Sequence, residues 1–369
     1  MERHPGGSIA AAIRADGPIG FDRFMELALY GPGGFYIDAP VGPGEGRAFA
    51  TSPHVHRVFG QLLAAGLMEL WDALGRPEPF RLTEVGAGDG TLARQLLGAL
   101  VEVPVIYTAV ERSPGARAVL ARISDVVVAD ALPGGSHVVL AHELLDNLPF
   151  RRVRRTEQGL REIFVGFDGE RFVEVLSDTL DGQASGLAAA GPAEPGEEAV
   201  IPVGAFVFID AIATELTADG GGYALFIDYG AEGHTGGPVH GYAGHRLVED
   251  VLADPGASDI TSGVDFTQLA ARARERGLIA RPSVTQRHAL TALGFQRWTR
   301  EELERQAALL DQRDGIEAVR TWSGRQAAMF LVDPAELGRT RWMLLSSAGL
   351  PVPAWVDTTP GLTGDGRRA

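Results

Sequence analysis

Two sets of residues in this 369-residue chain have the types and spacing for chemistry. The first is Glu84-Val85-Gly86-Ala87-Gly88-Asp89-Gly90-Thr91, a glycine turn with an acid before it. The second is a series of acids that each end an apolar run: Glu111, Asp130, Glu143 and, three residues on, Asp146. Glycine lets the backbone take positive φ and approach a ligand with no Cβ in the way, and a helix start offers free N–H donors. Such a turn suits a nucleotide-type cofactor. A dinucleotide fingerprint needs Gly-x-Gly-x-x-Gly or Ala, whereas here the third glycine comes one residue early and Thr91 holds the sixth position. Glu84 places negative charge beside the loop, which fits the ammonium and sulfonium of S-adenosylmethionine better than a pyrophosphate.

The elements that must position these groups read as a parallel sheet with crossover helices. Arg81 to Val85 is a short buried strand, and Thr91 to Leu100 is a helix with Leu92, Leu96, Leu97 and Leu100 on one side. Val105 to Val110 is the next strand. Ser113-Pro114 then caps a helix running to about Ile123. Glu111 follows Gly86 by one βαβ step and can accept both ribose hydroxyls. Val126 to Ala129 ends in Asp130, expected near the adenine. Val138 to Ala141 runs into His142-Glu143 and Asp146-Asn147-Leu148-Pro149, where a substrate would meet the cofactor, and Tyr223 to Ile227 ends in Asp228-Tyr229-Gly230. A strand-end acid can equally be a helix cap or a solvated loop charge, and Asp-Asn-x-Pro is also an ordinary turn sequence. Four acids in register favour a site.

Composition bounds the function. The hydrophobic content of 45% suffices for a sizeable core, and the formal charge of -15, with arginine as every basic residue, argues against general nucleic-acid binding. There is no cysteine, hence no disulfide or thiolate metal site. His54, His56, His234, His240 and His245 form no recognisable ligand motif, so no metal is expected. The N-terminal residues lack an apolar targeting segment and no run suits a membrane span, so the expectation is a cytoplasmic protein.

Arg57 to Leu74 is an amphipathic helix, with Trp71 read as packing. Tyr30 to Tyr36 is an aromatic-bracketed turn, either a staple over the core or a wall of the substrate pocket. From Arg151 to about Val203 the pattern becomes short alternating runs, with Asp168-Gly169 as a hairpin turn. This insertion is either a cap over the acceptor site or plain elaboration. Arg151, Arg152, Arg154 and Arg155 suit a solvated edge strand or an acidic partner. Ser185 to Glu198 reads as a loop, Phe266 to Gly277 and Arg300 to Gln312 as helices, Ala327 to Val332 as the last strand, and the residues after Thr358 as a disordered tail.

Taken together, several segments resemble the MidA family of class I S-adenosylmethionine-dependent methyltransferases. They are Gly17-Pro18-Ile19 with Phe24-Met25, Gly33-Gly34-Phe35-Tyr36, Phe49-Ala50-Thr51-Ser52-Pro53, the glycine turn, Glu111-Arg112-Ser113-Pro114, Glu143 to Pro149, Asp228-Tyr229-Gly230, and Asp259-Ile260-Thr261. The resemblance implies an α/β fold: a Rossmann-like, mostly parallel seven-stranded sheet with helices on both faces. It implies an N-terminal helical extension (1–78), the two halves of the cofactor domain (79–150 and 204–356) around a hairpin-containing insertion (151–203), and a tail (357–369). It further implies S-adenosylmethionine bound by Thr51, Ser52, Glu84, Gly86, Ala87, Gly88, Glu111, Arg112, Asp130, Ala131 and Glu143, leaving as S-adenosylhomocysteine, and Glu143 with Asp146 as catalytic residues. The acceptor implied is a protein arginine. A bulky small-molecule acceptor and a weakly active assembly factor are the alternatives, and a homodimer is allowed. The chain departs from the family at Arg47-Ala48, His54, Asp89, His142 and His245, mostly on the substrate side.

Overall fold

The computed structural model describes residues 5–38, 51–178, 180, 192, 194–218, 220–233, 239–244 and 246–357. Arg47-Ala48, His234, His245, most of the Ser185 to Glu198 stretch and the tail from Thr358 lie outside the described residues.

Helices α1 (Pro5–Asp16) and α2 (Phe21–Tyr30) flank a short strand, β1 (Ile19–Gly20). The brief α3 (Phe35–Asp38) and α4 (Ser52–Val55) precede the long α5 (Val58–Ala73). Strands and helices then alternate: β2 (Phe80–Val85), α6 (Thr91–Ala99), β3 (Val105–Val110), α7 (Pro114–Leu120), β4 (Val126–Ala129) and β5 (Val138–His142). The insertion supplies β6 (Arg151–Thr156), β7 (Gly159–Phe167), β8 (Phe172–Leu176) and β9 (Glu198–Ile201). The chain returns through α8 (Val203–Thr217) and β10 (Tyr223–Asp228) to four short strands, β11 (Gly230–Ala231), β12 (Gly241–Ala243), β13 (Arg246–Val248) and β14 (Val264–Asp265). It closes with α9 (Phe266–Glu275), β15 (Ile279–Ala280), β16 (Val284–Thr285), α10 (Gln286–Ala292), α11 (Phe295–Asp311), α12 (Gly315–Met329) and β17 (Arg341–Ser346).

The main sheet has the order β15-β17-β10-β5-β2-β3-β4, with β16 also paired to β17. Eight strands thus fill seven positions, because β15 and β16 share one edge of β17. From β10 to β4 every pairing is parallel, and β17 runs antiparallel to β10. Every residue of β5 and β10 is buried, as expected for strands covered on both faces. On one face Leu63 and Leu67 of α5 join Leu82, Leu140 and Leu225. On the other, Ile209 and Ile212 of α8 join Val139 and Phe226. Truncating one of these leucines to alanine would cost about 2–5 kcal/mol.

Three expectations are corrected here. β6 is no solvated edge: it lies between β7 and β9, and three of its four arginines are met by acids of the same sheet. Arg151 pairs with Glu162, Arg152 reaches Glu198 at 2.7 Å, and Arg154 bonds Glu198 and Glu174, while Arg155 Nε donates to the Pro192 carbonyl at 2.9 Å. The insertion packs on α1 and α2, with Phe21, Phe24, Phe150 and Val165 in one cluster, and among the described residues it does not line the main cavity. Ala327 to Val332 is no strand, because α12 continues through Met329 and the last strand is β17. A six-residue apolar run carries no period that separates helix from strand.

Candidate active site

The chain leaves β2 toward β3 and β4 on one side and returns to place β5 on the other, so the strand order reverses between β2 and β5. Ligands of such sheets bind beyond the strand ends at that reversal. A cavity of about 1030 Å³ lies there, lined by the turns after β2 and β5, the end of β3, the Tyr30–Tyr36 turn and parts of the segment after β10. The aromatic turn is therefore a pocket wall.

Gly86, Gly88 and Gly90 have φ of 75°, 55° and 72°, the left-handed region that glycine enters without strain. A Cβ on Gly88 would meet nothing within 4 Å, so the backbone is open to a ligand, whereas one on Gly90 would sit 2.3 Å from Ile123 Cδ1. Glu111 shapes the loop: its Oε2 accepts the Gly88 N–H at 3.0 Å and its Oε1 the Ser113 N–H at 2.9 Å. Each oxygen keeps a lone pair for a ligand hydroxyl. His54 ties the N-terminal segment to the turn, with Nδ1 2.7 Å from Thr51 Oγ1 and Nε2 3.2 Å from Asp89 Oδ2.

Beyond β5 the backbone turns at Glu143, a non-glycine residue at φ 50°, whose N–H is held by the Ile227 carbonyl at 2.8 Å. Such left-handed side-chain-bearing residues persist where their surroundings hold them, often at functional sites. Asp228, fully buried at the end of β10, supplies the hold through hydrogen bonds from the backbone of Leu144, Leu145 and Asp146. Asp146 Oδ2 accepts from the Thr261 hydroxyl at 2.8 Å.

These acids share one buried, acid-rich region. Burial pushes the Glu143 carboxyl up to about 8, with the Asp146 charge adding to it, and burial raises Asp146 to about 6. Asp259 rises to about 7 and Glu84 to about 8, again mainly through burial. Burial and the neighbouring Asp146 also push Asp228 up, against the backbone donors that favour its charge. His142 is driven down to about 3 by burial and is neutral, its Nε2 3.3 Å from Glu143 Oε1. Desolvation disfavours the charged form in each case, and a cationic ligand would restore the carboxylates.

The cavity gathers Thr51, Glu84, Gly86, Ala87, Gly88, Glu111, Glu143 and Asp146 from the expected set. It does not gather four others. The Ser52 side chain is fully buried and bonds Gln286 Oε1 at 3.2 Å. Arg112 instead pairs with Glu26 and stacks 4.1 Å over the Tyr30 ring. Asp130 and Ala131 are exposed beyond the edge strand β4, whose last residue Ala129 accepts the Glu111 N–H at 3.1 Å, so they stand next to Glu111 but outside the cavity lining. The negative charge expected at Glu84 also needs correction, since the carboxyl is buried, takes the Tyr107 hydroxyl at 2.5 Å and holds its proton near neutral pH. Tyr229, Asp259, Ser262 and Arg339 line the cavity as well and had no assigned role from sequence. The Asp228-Tyr229-Gly230 and Asp259-Ile260-Thr261 segments were the available signals for Tyr229 and Asp259.

These residues fit S-adenosylmethionine: open glycine backbone, a carboxylate with free lone pairs at a strand end, and buried acids that would favour a cationic ligand. A family model for S-adenosyl-L-methionine-dependent methyltransferases matches residues 62–283. The chain belongs to this family. The mitochondrial protein arginine methyltransferase NDUFAF7 of Danio rerio is 31% identical over 333 residues, covering 78% of this chain and 76% of its own. Its Mus musculus counterpart is 29% identical, with 77% and 72% covered. A COG1565 superfamily member from Burkholderia thailandensis, solved bound to S-adenosyl-homocysteine, is similar with a TM-score of 0.80 at 28% identity, over 94% of this chain and 92% of that one.

The methyltransferase fold and the S-adenosylmethionine dependence of the chain stand on these matches. The cytoplasmic expectation does not stand, because the named relatives are mitochondrial proteins. Among the described residues no helix is long and apolar enough to cross a membrane, and no group of three His, Cys, Asp or Glu side chains is placed to hold a metal.

Proposed function

We propose that this methyltransferase acts on an arginine side chain of a protein, with Glu143 and Asp146 holding the guanidinium. The observation that carries this is a set of buried atoms that make no hydrogen bond among the described residues: Asp146 Oδ1, Ser262 Oγ and Glu143 Oε1, the last 3.3 Å from His142 Nε2 without hydrogen-bond geometry, all from residues lining one cavity. Leaving such an acceptor unmet costs about 1–3 kcal/mol, and a guanidinium brings five N–H donors in a planar fork. The names of the relatives, protein arginine methyltransferases, support the same acceptor.

S-adenosylmethionine supplies an electrophilic methyl carbon on a sulfonium. In this reading Thr51, Glu84, Gly86, Ala87, Gly88 and Glu111 bind it, while the acid pair orients the acceptor nitrogen and excludes water. Glu143 takes the proton that the guanidinium loses on methylation, a role suited to a carboxyl whose proton affinity is raised toward neutrality. Residues 79–150 and 204–356 would form the catalytic domain around the 151–203 insertion.

Labelled methyl transfer into a cell lysate, split into protein and small-molecule fractions and followed by hydrolysis, tests the acceptor. Label is expected in protein as methylarginine. Label confined to small molecules, or on another amino acid, would overturn the reading.

A further inference from the structure

We propose that His142 is a positioning residue for Glu143: its Nε2–H donates to Glu143 Oε1 as the acceptor binds and fixes the carboxyl that meets the guanidinium. This rests on the role given to Glu143 above and adds a second residue to it.

Consecutive side chains of a strand face opposite sides of the sheet, so His142 and Glu143 would not meet in regular β5. The strand ends at His142, and the backbone turns at Glu143 to φ 50°. This break in the alternation brings Nε2 to 3.3 Å from Oε1. Both atoms are buried, and neither makes a hydrogen bond among the described residues. The imidazole packs against Phe59, with ring centroids 5.2 Å apart, and that ring offers Nε2 no competing acceptor. A donor and an acceptor buried within contact distance gain by aligning, and hydrogen bonds that are poorly aligned in a ligand-free enzyme tighten when the substrate arrives.

The chemistry of the pair favours this division of work. Burial keeps His142 neutral, so it supports the carboxylate without setting a positive charge against a cationic acceptor. A carboxylate oxygen has two lone pairs, so Oε1 accepts from Nε2 and still takes an N–H of the guanidinium. The proton lost on methylation goes to Glu143, and His142 keeps its own. The other groups facing the pair are Asp146 on the turn after β5, Asp228 and Tyr229 at the end of β10, and His54 and the Ser52 N–H from the α4 segment. They are the same in every His142 variant below, so a change in pH dependence reads the donor.

Steady-state methyl transfer into lysate protein, followed across the Glu143 pKa of about 8, compares the wild type with His142→Leu and His142→Gln. Leucine fills the space of the ring without a donor, and glutamine returns an N–H at similar reach. Losing the donor disfavours the carboxylate, so in His142→Leu kcat should fall about tenfold and the acid limb of the profile should move up by about one pH unit. His142→Gln should restore most of both, and all three proteins should bind S-adenosylhomocysteine alike. Nitrogen NMR of histidine-labelled wild type bound to S-adenosylhomocysteine needs no leucine variant, with the His142 signal assigned by its loss in His142→Gln. It should show a neutral ring with its proton on Nε2. A leucine variant with the wild-type rate and profile, a glutamine variant as impaired as the leucine one, or a proton on Nδ1 would each overturn the proposal. Glu143→Gln, run in parallel, separates the two readings. If it is inactive while His142→Leu matches the wild type, only the role of His142 fails; if it turns over, the role of Glu143 fails and this one with it.

Discussion

The Asp228 carboxylate accepts the Leu145 N–H at 2.7 Å and, on the same oxygen, the N–H groups of Leu144 and Asp146 at 3.0 and 3.4 Å. One side chain at the end of β10 thereby fixes the turn after β5 that carries both Glu143 and Asp146. Asp228→Asn places an amide where a carboxylate gathered these donors. Turnover should fall by about tenfold or more while affinity for S-adenosylhomocysteine changes little, the pattern of an interaction that serves the transition state. Steady-state kinetics with calorimetric titration on the same preparation checks this.

The Glu84–Tyr107 pair predicts a pH-dependent stability. The folded-state pKa of Glu84 is about 8, above its ordinary value of 4.5, so folding binds a proton between these limits. The stabilising contribution is complete below about 4.5 and is lost as pH rises through 8. Glu84→Gln, which cannot ionise, should raise the melting temperature of the ligand-free protein at pH 8.5 relative to wild type, and the gain should shrink toward pH 5. Thermal melts across that range measure it.

The glycines of the turn should separate stability from binding. Gly90→Ala brings a Cβ to 2.3 Å from Ile123 Cδ1 and 2.9 Å from Leu120 Cδ2 at φ 72°, so it should destabilise the fold by about 1–3 kcal/mol. Gly88→Ala meets open space, so beyond the roughly 1–2 kcal/mol that a left-handed alanine costs at φ 55° it should act by weakening cofactor binding. Denaturant melts and calorimetry of both variants distinguish the two effects.

Cofactor binding should release protons near pH 7. Glu84 and Glu143 hold their protons there in the ligand-free protein, and a cationic ligand favours their ionised forms. Titration with S-adenosylmethionine in buffers of different ionisation enthalpy reads the number released, which should decline as pH rises past 8. Proton uptake would contradict the electrostatic account.

The glycine turn, the strand ending in Glu111 and the parallel sheet were legible because buried parallel strands read as continuous apolar runs and a left-handed turn selects glycine. Four placements depend on tertiary structure that the sequence does not display. Arg112 looked like a ligand at a strand tip, but its partner Glu26 lies 86 residues earlier in sequence. Asp130 ends a strand as Glu111 does, yet only the sheet order shows that β4 is the edge strand and leaves Asp130 exposed. Ser52 turns inward to Gln286, 234 residues away. The charge on Glu84 depended on burial, which a short motif does not reveal. Ser262 and Asp259 were missed because the segment after β10 has no period, and it joins the site only through contacts such as Thr261 with Asp146.

The central claim is that Glu143 holds a cationic acceptor beside the cofactor, and Glu143→Gln tests it most directly. The amide keeps the shape but cannot take the acceptor's proton. Methyl transfer to protein arginine should be abolished while calorimetric affinity for S-adenosylhomocysteine stays close to that of the wild type. Turnover that survives the substitution would contradict the role assigned to Glu143.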